Sequence, residues 1–144
     1  MATETDSVVI PQETIASSEK KKRAHRTLRQ MPIYRDIANL KYFVVCLYDK
    51  VPRKYTRYID GILMTVSEAK KCVGLAHATR VPSTRVEYLD MVHIFIEDVQ
   101  DDIKILHKLN HISKDTDNKI RQLARGIVAQ AIALRDYANG QGNS

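Results

Sequence analysis

Apolar side chains recur at alternating steps of four and three residues along most of this chain, from Ile33 to Tyr137. This spacing places them on one face of an α-helix, because a helix completes a turn about every 3.6 residues. A helix with one apolar face must bury it, and the chain carries four such segments in succession. The pattern predicts an all-α fold, an antiparallel up-down four-helix bundle. The clearest stripe is Tyr55, Ile59, Ile62, Val66, Ala69, Val73 and Ala76.

Capping and breaking residues indicate where the four helices begin and end. Pro32 suits a first helical turn, where its missing N–H is no loss. Thr84 and Glu87 have the spacing of a capping box, and Ser113 is a typical N-cap residue. Gly140 is a typical stop. The helices are predicted over residues 32–50, 53–77, 84–110 and 113–139.

The helical region predicts one domain, residues 28–139, between two tails. Residues 1–27 lack apolar periodicity and are rich in Thr, Ser, Glu and Lys, which indicates a disordered basic arm. Residues 140–144 are expected to fray. No apolar run approaches the roughly 18 residues that span a bilayer, and the start lacks the features of a secretory signal. We therefore expect a cytoplasmic protein without a membrane partner.

Positive charge is concentrated in the first half of the predicted bundle. Residues 28–82 hold ten Lys or Arg and four Asp or Glu, whereas residues 83–112 hold three and six. Such segregation either directs one face toward polyanions or reflects unevenly solvated faces. The run at 20–23 either contacts phosphates or solubilises a tail. The candidate nucleic-acid-binding residues are Arg53, Lys54, Arg57, Lys70, Lys71, Arg80, Arg121, Arg125, Lys20, Lys21, Lys22 and Arg23.

The first helix is too apolar for one face. Its core stripe is Ile33, Ile37, Leu40, Val44, Leu47 and Val51, yet residues 42–48 read YFVVCLY, apolar or aromatic on every side. One four-helix protomer cannot cover that circumference, so we expect a second contact between subunits. The candidate interface residues on this helix are Tyr42, Val45 and Tyr48.

The fourth helix carries two apolar groups. Leu123, Ile127, Leu134 and Tyr137 are predicted to face the core. On the opposite side, Val128 and Ile132 stand among arginines, which is typical either of an oligomer or partner interface or of two singly exposed aliphatics. The residues of this second group are Val128, Ile132 and Arg135, framed by Arg121 and Arg125.

Catalytic and metal-binding patterns are not found in the sequence. It contains no Glu-x-x-His pair, no glycine-rich phosphate loop and no nucleophile elbow. His107 and His111, four residues apart, lack an evident third ligand, and an acidic group around Glu97 to Asp102 would spread over more than one helix face. We expect a protein that is not an enzyme and has no metal or cofactor.

Three stretches carry a family resemblance that spans about Leu28 to Asn139. LRQMPIYRDIANL, VPRKYTRYIDG and RVEYLDMVHIFIEDVQDDIKILHKLNHIS resemble the accessory variability determinant (Avd) proteins of diversity-generating retroelements. These belong to a set of small four-helix bundles that includes proteins encoded by intervening sequences in ribosomal RNA genes. The chain departs from the family in lacking the tryptophan that often ends the fourth helix, and its N-terminal arm is longer.

The resemblance implies a basic homopentamer that binds nucleic acid and associates with a reverse transcriptase. With template-repeat RNA, such proteins support adenine-mutagenic copying into a variable gene. The same resemblance implies that Arg53, Lys54 and Arg57 lie in a positively charged surface. The partners expected are therefore further copies of the chain, a reverse transcriptase, template RNA and possibly DNA. The alternative is a protein-interaction bundle of the intervening-sequence branch, with incidental positive charge.

Overall fold

The computed structural model describes residues 27–142, and within that range the fold is entirely helical, with no strand. Within residues 27–142, four α-helices are joined by short connections, which confirms the prediction of an all-helical architecture with four helices for this part of the chain. None of these helices is long and apolar enough to cross a membrane. The α-helices are α1 (Pro32–Cys46), α2 (Thr56–Ala78), α3 (Pro82–Lys108) and α4 (Lys114–Gly142). Short 3-10 helices cover Leu28–Gln30, Leu47–Asp49 and Arg53–Tyr55.

A single apolar core lies between the four helices. α2 and α4 both pack against α3, and α1 contacts α2 and α4. Each helix contributes aliphatic side chains three or four residues apart, because only that spacing keeps them on the inner face. Removing this apolar surface from water is the main stabilising contribution to the fold. The largest fully buried side chains include Ile37, Leu40, Ile59, Ile62, Ile96, Ile103, Ile120 and Ile127.

The stripes predicted for the first and second helices are buried, whereas the stripe predicted for the fourth is partly wrong. In α2 the members of the predicted stripe between Ile59 and Ala76 are buried as expected, and Tyr55 is half-buried. In α4 only Ile127 of the predicted set is fully buried. Tyr137 is 66% exposed, and Val128 packs partly against the core. The inner face of α4 includes alanines that the predicted stripe left out. Its buried residues are Ile120, Ala124, Ile127, Ala131 and Ala138.

Four predicted helix boundaries differ from the structure. α1 ends at Cys46 and α2 begins at Thr56, because 3-10 turns cover Leu47–Asp49 and Arg53–Tyr55, and the start of α3 and the end of α4 also differ. α3 begins at Pro82, with Val81 at the N-cap position and no side-chain cap, so the Thr84 capping box is not used. Proline fits the first helical turn because its φ is fixed and it needs no N–H partner there. At the C-terminal end of the fold, α4 continues through Gly142, past Gly140, and no glycine in residues 27–142 takes a positive φ. Without a left-handed residue, the chain has no reason to leave the helix at Gly140.

The connection between α3 and α4 follows the expected chemistry. Asn110 adopts a φ of 61°, a left-handed conformation that asparagine tolerates better than most residues. The predicted cap at Ser113 is confirmed, because its Oγ accepts a hydrogen bond from the backbone N–H of Thr116 at 3.1 Å. This turn carries the chain directly into α4 and brings the two helices into contact.

Two isoleucines on α3, two residues apart, provide a matched test of the core. Ile96 is fully buried and Ile94 is 65% exposed. We expect Ile96→Ala to lower the free energy of unfolding by about 2–5 kcal/mol, because it removes buried methyl groups and leaves a cavity. Ile94→Ala should change it by less than about 0.5 kcal/mol. Urea unfolding followed by circular dichroism measures both; equal losses would contradict this assignment of the core face.

Candidate nucleic-acid interface

One end of the molecule brings together the α1–α2 connection and the α3–α4 connection. Lys50 Nζ lies 3.3 Å from the Thr116 hydroxyl, and the rings of Tyr55 and His111 lie 4.4 Å apart between centroids. These contacts place the interruption of the helix at Pro52 beside the start of α4. The basic side chains of this end therefore occupy a small region, although the sequence separates the two connections by more than fifty residues.

We call the exposed residues Lys50, Arg53, Lys54 and Arg57 the basic corner. Pro52 lies between the 3-10 turns Leu47–Asp49 and Arg53–Tyr55, and in the second turn the N–H of Tyr55 bonds to the Pro52 carbonyl at 2.9 Å. Proline disfavours helix in the residue before it, which explains the break. The turn leaves successive cationic side chains exposed at the start of α2 rather than on opposite sides of a longer helix.

The positive charge of the basic corner is not neutralised within the described part of the chain. Among residues 27–142, none of its four members has a carboxylate within ion-pair distance. Lys54 Nζ lies 5.5 Å from the centre of the Tyr55 ring. The neighbouring acid on α2, Asp60, instead accepts a hydrogen bond from the Tyr48 hydroxyl, and this bond raises the pKa of Tyr48. The corner is thus free to contact an external anion.

The predicted basic residues farther along α2 do not belong to the same cluster. Lys70 follows Arg57 by thirteen positions, which corresponds to about 20 Å of helix. Its Nζ lies 5.2 Å from the centre of the Tyr34 ring on α1. Lys71 and Arg80 are exposed, and Arg80 follows the end of α2. A ligand that reached all of them would have to lie along the whole helix.

The two predicted arginines of α4 have different surroundings. Arg125 is exposed. Arg121 Nε lies 3.1 Å from Oδ1 of the buried Asp117, as an ion pair rather than an aligned hydrogen bond. His107 Nδ1 lies 3.3 Å from the other oxygen of that carboxylate. Arg121 is therefore already engaged inside the molecule, and its four-residue spacing from Asp117 is the sequence signal that could have shown this.

The remaining predicted basic residues belong to the N-terminal arm. Lys20, Lys21, Lys22 and Arg23 lie outside the described residues. Sequence reasoning missed Lys50, because it was assigned to the end of the first helix, and His111, because it was considered only as a metal ligand. Both were found only when the two connections were placed side by side.

The apolar stretch of α1 leaves an exposed surface on a single copy. Tyr42 is 66% exposed and Val45 is 45% exposed, whereas Tyr48 is half-buried. Phe43, which the sequence analysis did not single out, is also exposed, and its ring packs edge-to-face on Tyr42 with centroids 5.9 Å apart. We call Tyr42, Phe43 and Val45 the α1 apolar patch. The neighbouring helices of the same copy do not cover it.

The predicted interface on α4 is less apolar than expected. Ile132 is 39% exposed, but Val128 lies partly against the core. Arg135 is held by Asp90 on α3, with Nε 2.9 Å from the carboxylate, and by Asp136 at 3.3 Å. The arginine therefore links α4 to α3 through an ion pair. Of the three predicted residues, only Ile132 is a well exposed aliphatic.

A half-buried tyrosine joins α2 to the acidic face of α3. The Tyr58 hydroxyl donates to Asp102 Oδ1 at 3.1 Å. Burial, and then the negative charge of Asp102, raise the pKa of Tyr58 above its ordinary value of 10.0. Burial likewise raises the pKa of Asp102, with Asp98 and Asp101 contributing, although the hydrogen bond from Tyr58 lowers it. These groups stabilise the contact between α2 and α3.

The site offers binding contacts rather than a converging reactive centre. Within residues 27–142, no three His, Cys, Asp or Glu side chains are grouped so that they could hold a metal ion. No model of a known protein family matches the chain, and no relative is found among curated proteins. A function for this chain therefore has to be inferred from the basic corner and the α1 apolar patch.

The raised pKa of Tyr58 predicts a loss of stability at alkaline pH. The unfolded chain releases the tyrosine proton near pH 10, whereas the folded chain retains it, so stability falls as the pH rises above about 10. The slope for one proton is at most about 1.4 kcal/mol per pH unit. Tyr58→Phe should make this dependence less steep, as measured by urea unfolding between about pH 8 and pH 11, and the raised pKa of Tyr48 should leave a smaller residual slope. Tyr42→Phe, which changes an exposed tyrosine, should keep the wild-type slope; an unchanged slope in Tyr58→Phe would contradict the assignment.

Proposed function

We propose that this protein is a non-catalytic accessory subunit that binds nucleic acid through the basic corner. The observation that carries the proposal is a compact group of exposed cations, Lys50, Arg53, Lys54 and Arg57, none of which is paired with a carboxylate among residues 27–142. Surface lysines and arginines that find no internal partner are available to phosphates. The neighbouring Tyr55 and His111 rings add planar groups against which a base could stack.

The expected mode of binding is contact with the phosphate backbone. Each phosphate neutralised by a lysine or arginine releases counterions, so the affinity falls as salt is added. On a plot of log association constant against log salt concentration, each contact contributes a slope of about −0.9 on duplex DNA and about −0.7 on a single strand. With only four cations in the basic corner, we expect the affinity to depend weakly to moderately on salt concentration. The described residues contain no recognition helix of a known DNA-reading motif, so sequence preference is expected to be weak.

The wider role proposed rests on the resemblance to Avd proteins. In this role the chain is an antiparallel up-down four-helix bundle that assembles as a homopentamer in the cytoplasm and works with a reverse transcriptase and template RNA, in mutagenic retrohoming. The α1 apolar patch supports assembly, because an aromatic and aliphatic surface gains stability when a second copy covers it. The short connections and the packing of α1 on both α2 and α4 support the up-down topology.

A second candidate is a protein-interaction bundle of the ribosomal intervening-sequence branch. The observation that favours it is the same patch of Tyr42, Phe43 and Val45, which fits a protein partner as well as a further copy. Under this alternative, the basic corner only keeps the surface hydrated. The two candidates differ in whether reversing the charge of the corner changes nucleic-acid binding.

Charge reversal at the basic corner tests the first candidate. We expect Arg53→Glu with Arg57→Glu to reduce binding to single-stranded RNA and duplex DNA by at least about tenfold at low salt, since two phosphate contacts become repulsive. Fluorescence anisotropy measures the affinity. Thermal unfolding should be nearly unchanged, because both side chains are exposed.

A matched pair controls for net charge alone. Arg35→Glu with Lys104→Glu makes the same change in total charge at exposed positions on α1 and α3. This pair should bind nucleic acid more tightly than the corner variant. Equal losses in the two variants would show a general charge effect, and no micromolar binding by the wild type at low salt would refute the nucleic-acid role.

The mass in solution tests the proposed assembly. The chain has a mass of 16.5 kDa, and light scattering at micromolar concentration should return a multiple of it, five for a pentamer. Tyr42→Glu with Val45→Glu should shift the mass toward a single chain, because buried charge opposes association. Ile94→Glu, an exposed change on α3, serves as the control. A wild-type mass of one chain would contradict oligomerisation.

A further inference from the structure

A cavity of about 490 Å³ lies at the opposite end of α2 from the basic corner. It is bounded by the end of α2, the start of α3, the last turns of α4 and the residue that precedes α1. Its apolar wall includes Met31, Val73, Leu89 and Leu134. Small-molecule sites are commonly concave, about 300–1,000 Å³ in volume, and mostly apolar with a few polar groups.

The polar residues of this cavity are basic or neutral. No carboxylate side chain is among its lining residues within the described part of the chain, and the polar residues that line it are His77, Thr79, Arg80, Arg85, Tyr137 and Gln141. The cavity therefore combines an apolar wall with an excess of positive charge. A ligand that matched it would carry an apolar body and a single anionic group.

The Arg85 guanidinium fixes the shape of the cationic side. Its Nε donates to the carbonyl of Ala76 at 3.0 Å, and an Nη donates to the carbonyl of Thr79 at 2.6 Å. The half-buried arginine thus caps the end of α2 and holds the connection that carries Arg80. Among residues 27–142, neither arginine has a carboxylate within ion-pair distance, so these two positive charges remain uncompensated beside the cavity.

We propose that this cavity binds an aliphatic monocarboxylate, with its chain against Met31, Leu89 and Leu134 and its carboxylate on Arg80. Arginine matches a carboxylate well, because its planar guanidinium donates two parallel hydrogen bonds. Burial of the chain against the apolar wall supplies the affinity, and the charged group sets the orientation of the ligand. This site is separate from the basic corner and does not depend on the proposed nucleic-acid role.

Calorimetric titration of the full chain with octanoate tests the proposal. We expect one octanoate per chain, no measurable binding of acetate, which lacks the apolar chain, and binding of 1-octanol at least about tenfold weaker, since it lacks the charge. Octanoate that fails to bind, or octanol that binds equally well, would overturn the proposal.

Three variants locate the site. Arg80→Ala should weaken octanoate binding by at least about tenfold, the scale of one lost charge-assisted hydrogen bond. Arg57→Ala, which removes an exposed arginine at the other end of α2, should leave the affinity unchanged while weakening nucleic-acid binding. Ala78→Phe, at an exposed position that lines the cavity, should block octanoate by filling the space. Equal octanoate affinity in the wild type and Arg80→Ala would refute the assignment even if Ala78→Phe fails to fold.

Discussion

Burial of four apolar helix faces against one another is the constraint on which the rest of this structure depends. A helix with a one-sided apolar stripe is unstable alone in water, and the four stripes here remove one another from solvent in a single core. The core consists almost entirely of aliphatic side chains and alanine. Its chief polar exception, Asp117, is compensated by His107 and Arg121. Because the interior contains so little polar chemistry, function has to be carried by the surfaces and by the ends of the helices.

The ends of the helices hold the two chemically distinct regions. At one end, the Pro52 break and the start of α2 expose the basic corner. At the other, Arg85 closes the end of α2 and leaves a cavity with apolar walls and unpaired positive charge. The acidic face of α3 lies along the bundle and is joined to α2 by Tyr58 and Asp102. Among residues 27–142, exposed cations without a carboxylate partner therefore lie near both ends of α2.

The α1 apolar patch adds a second requirement, because three large apolar side chains remain exposed on a helix whose inner face is already in the core. In a single copy this exposed apolar surface contributes no stability through burial. A further copy or another protein would bury it and would also set the spacing between basic corners. In an assembly of several copies, repeated corners would multiply weak phosphate contacts through effective concentration. Oligomerisation and nucleic-acid binding are thus physically linked in the proposed role.

The sequence by itself determined the four helices and most of their inner faces. Helical periodicity and proline placement are local properties, and local rules read them correctly. The sequence pattern predicted the wrong inner face for α4, where alanines are buried and larger residues such as Tyr137 lie outside. Burial there follows the fit between neighbouring helices rather than side-chain size. Only the tertiary structure decided that Lys50 belongs to the basic corner and that His111 lies beside it. It also decided that Arg121 forms an ion pair with Asp117 and that Arg80 and Arg85 line a cavity. Those facts depend on contacts between residues distant in the chain, and no periodicity within one helix records them.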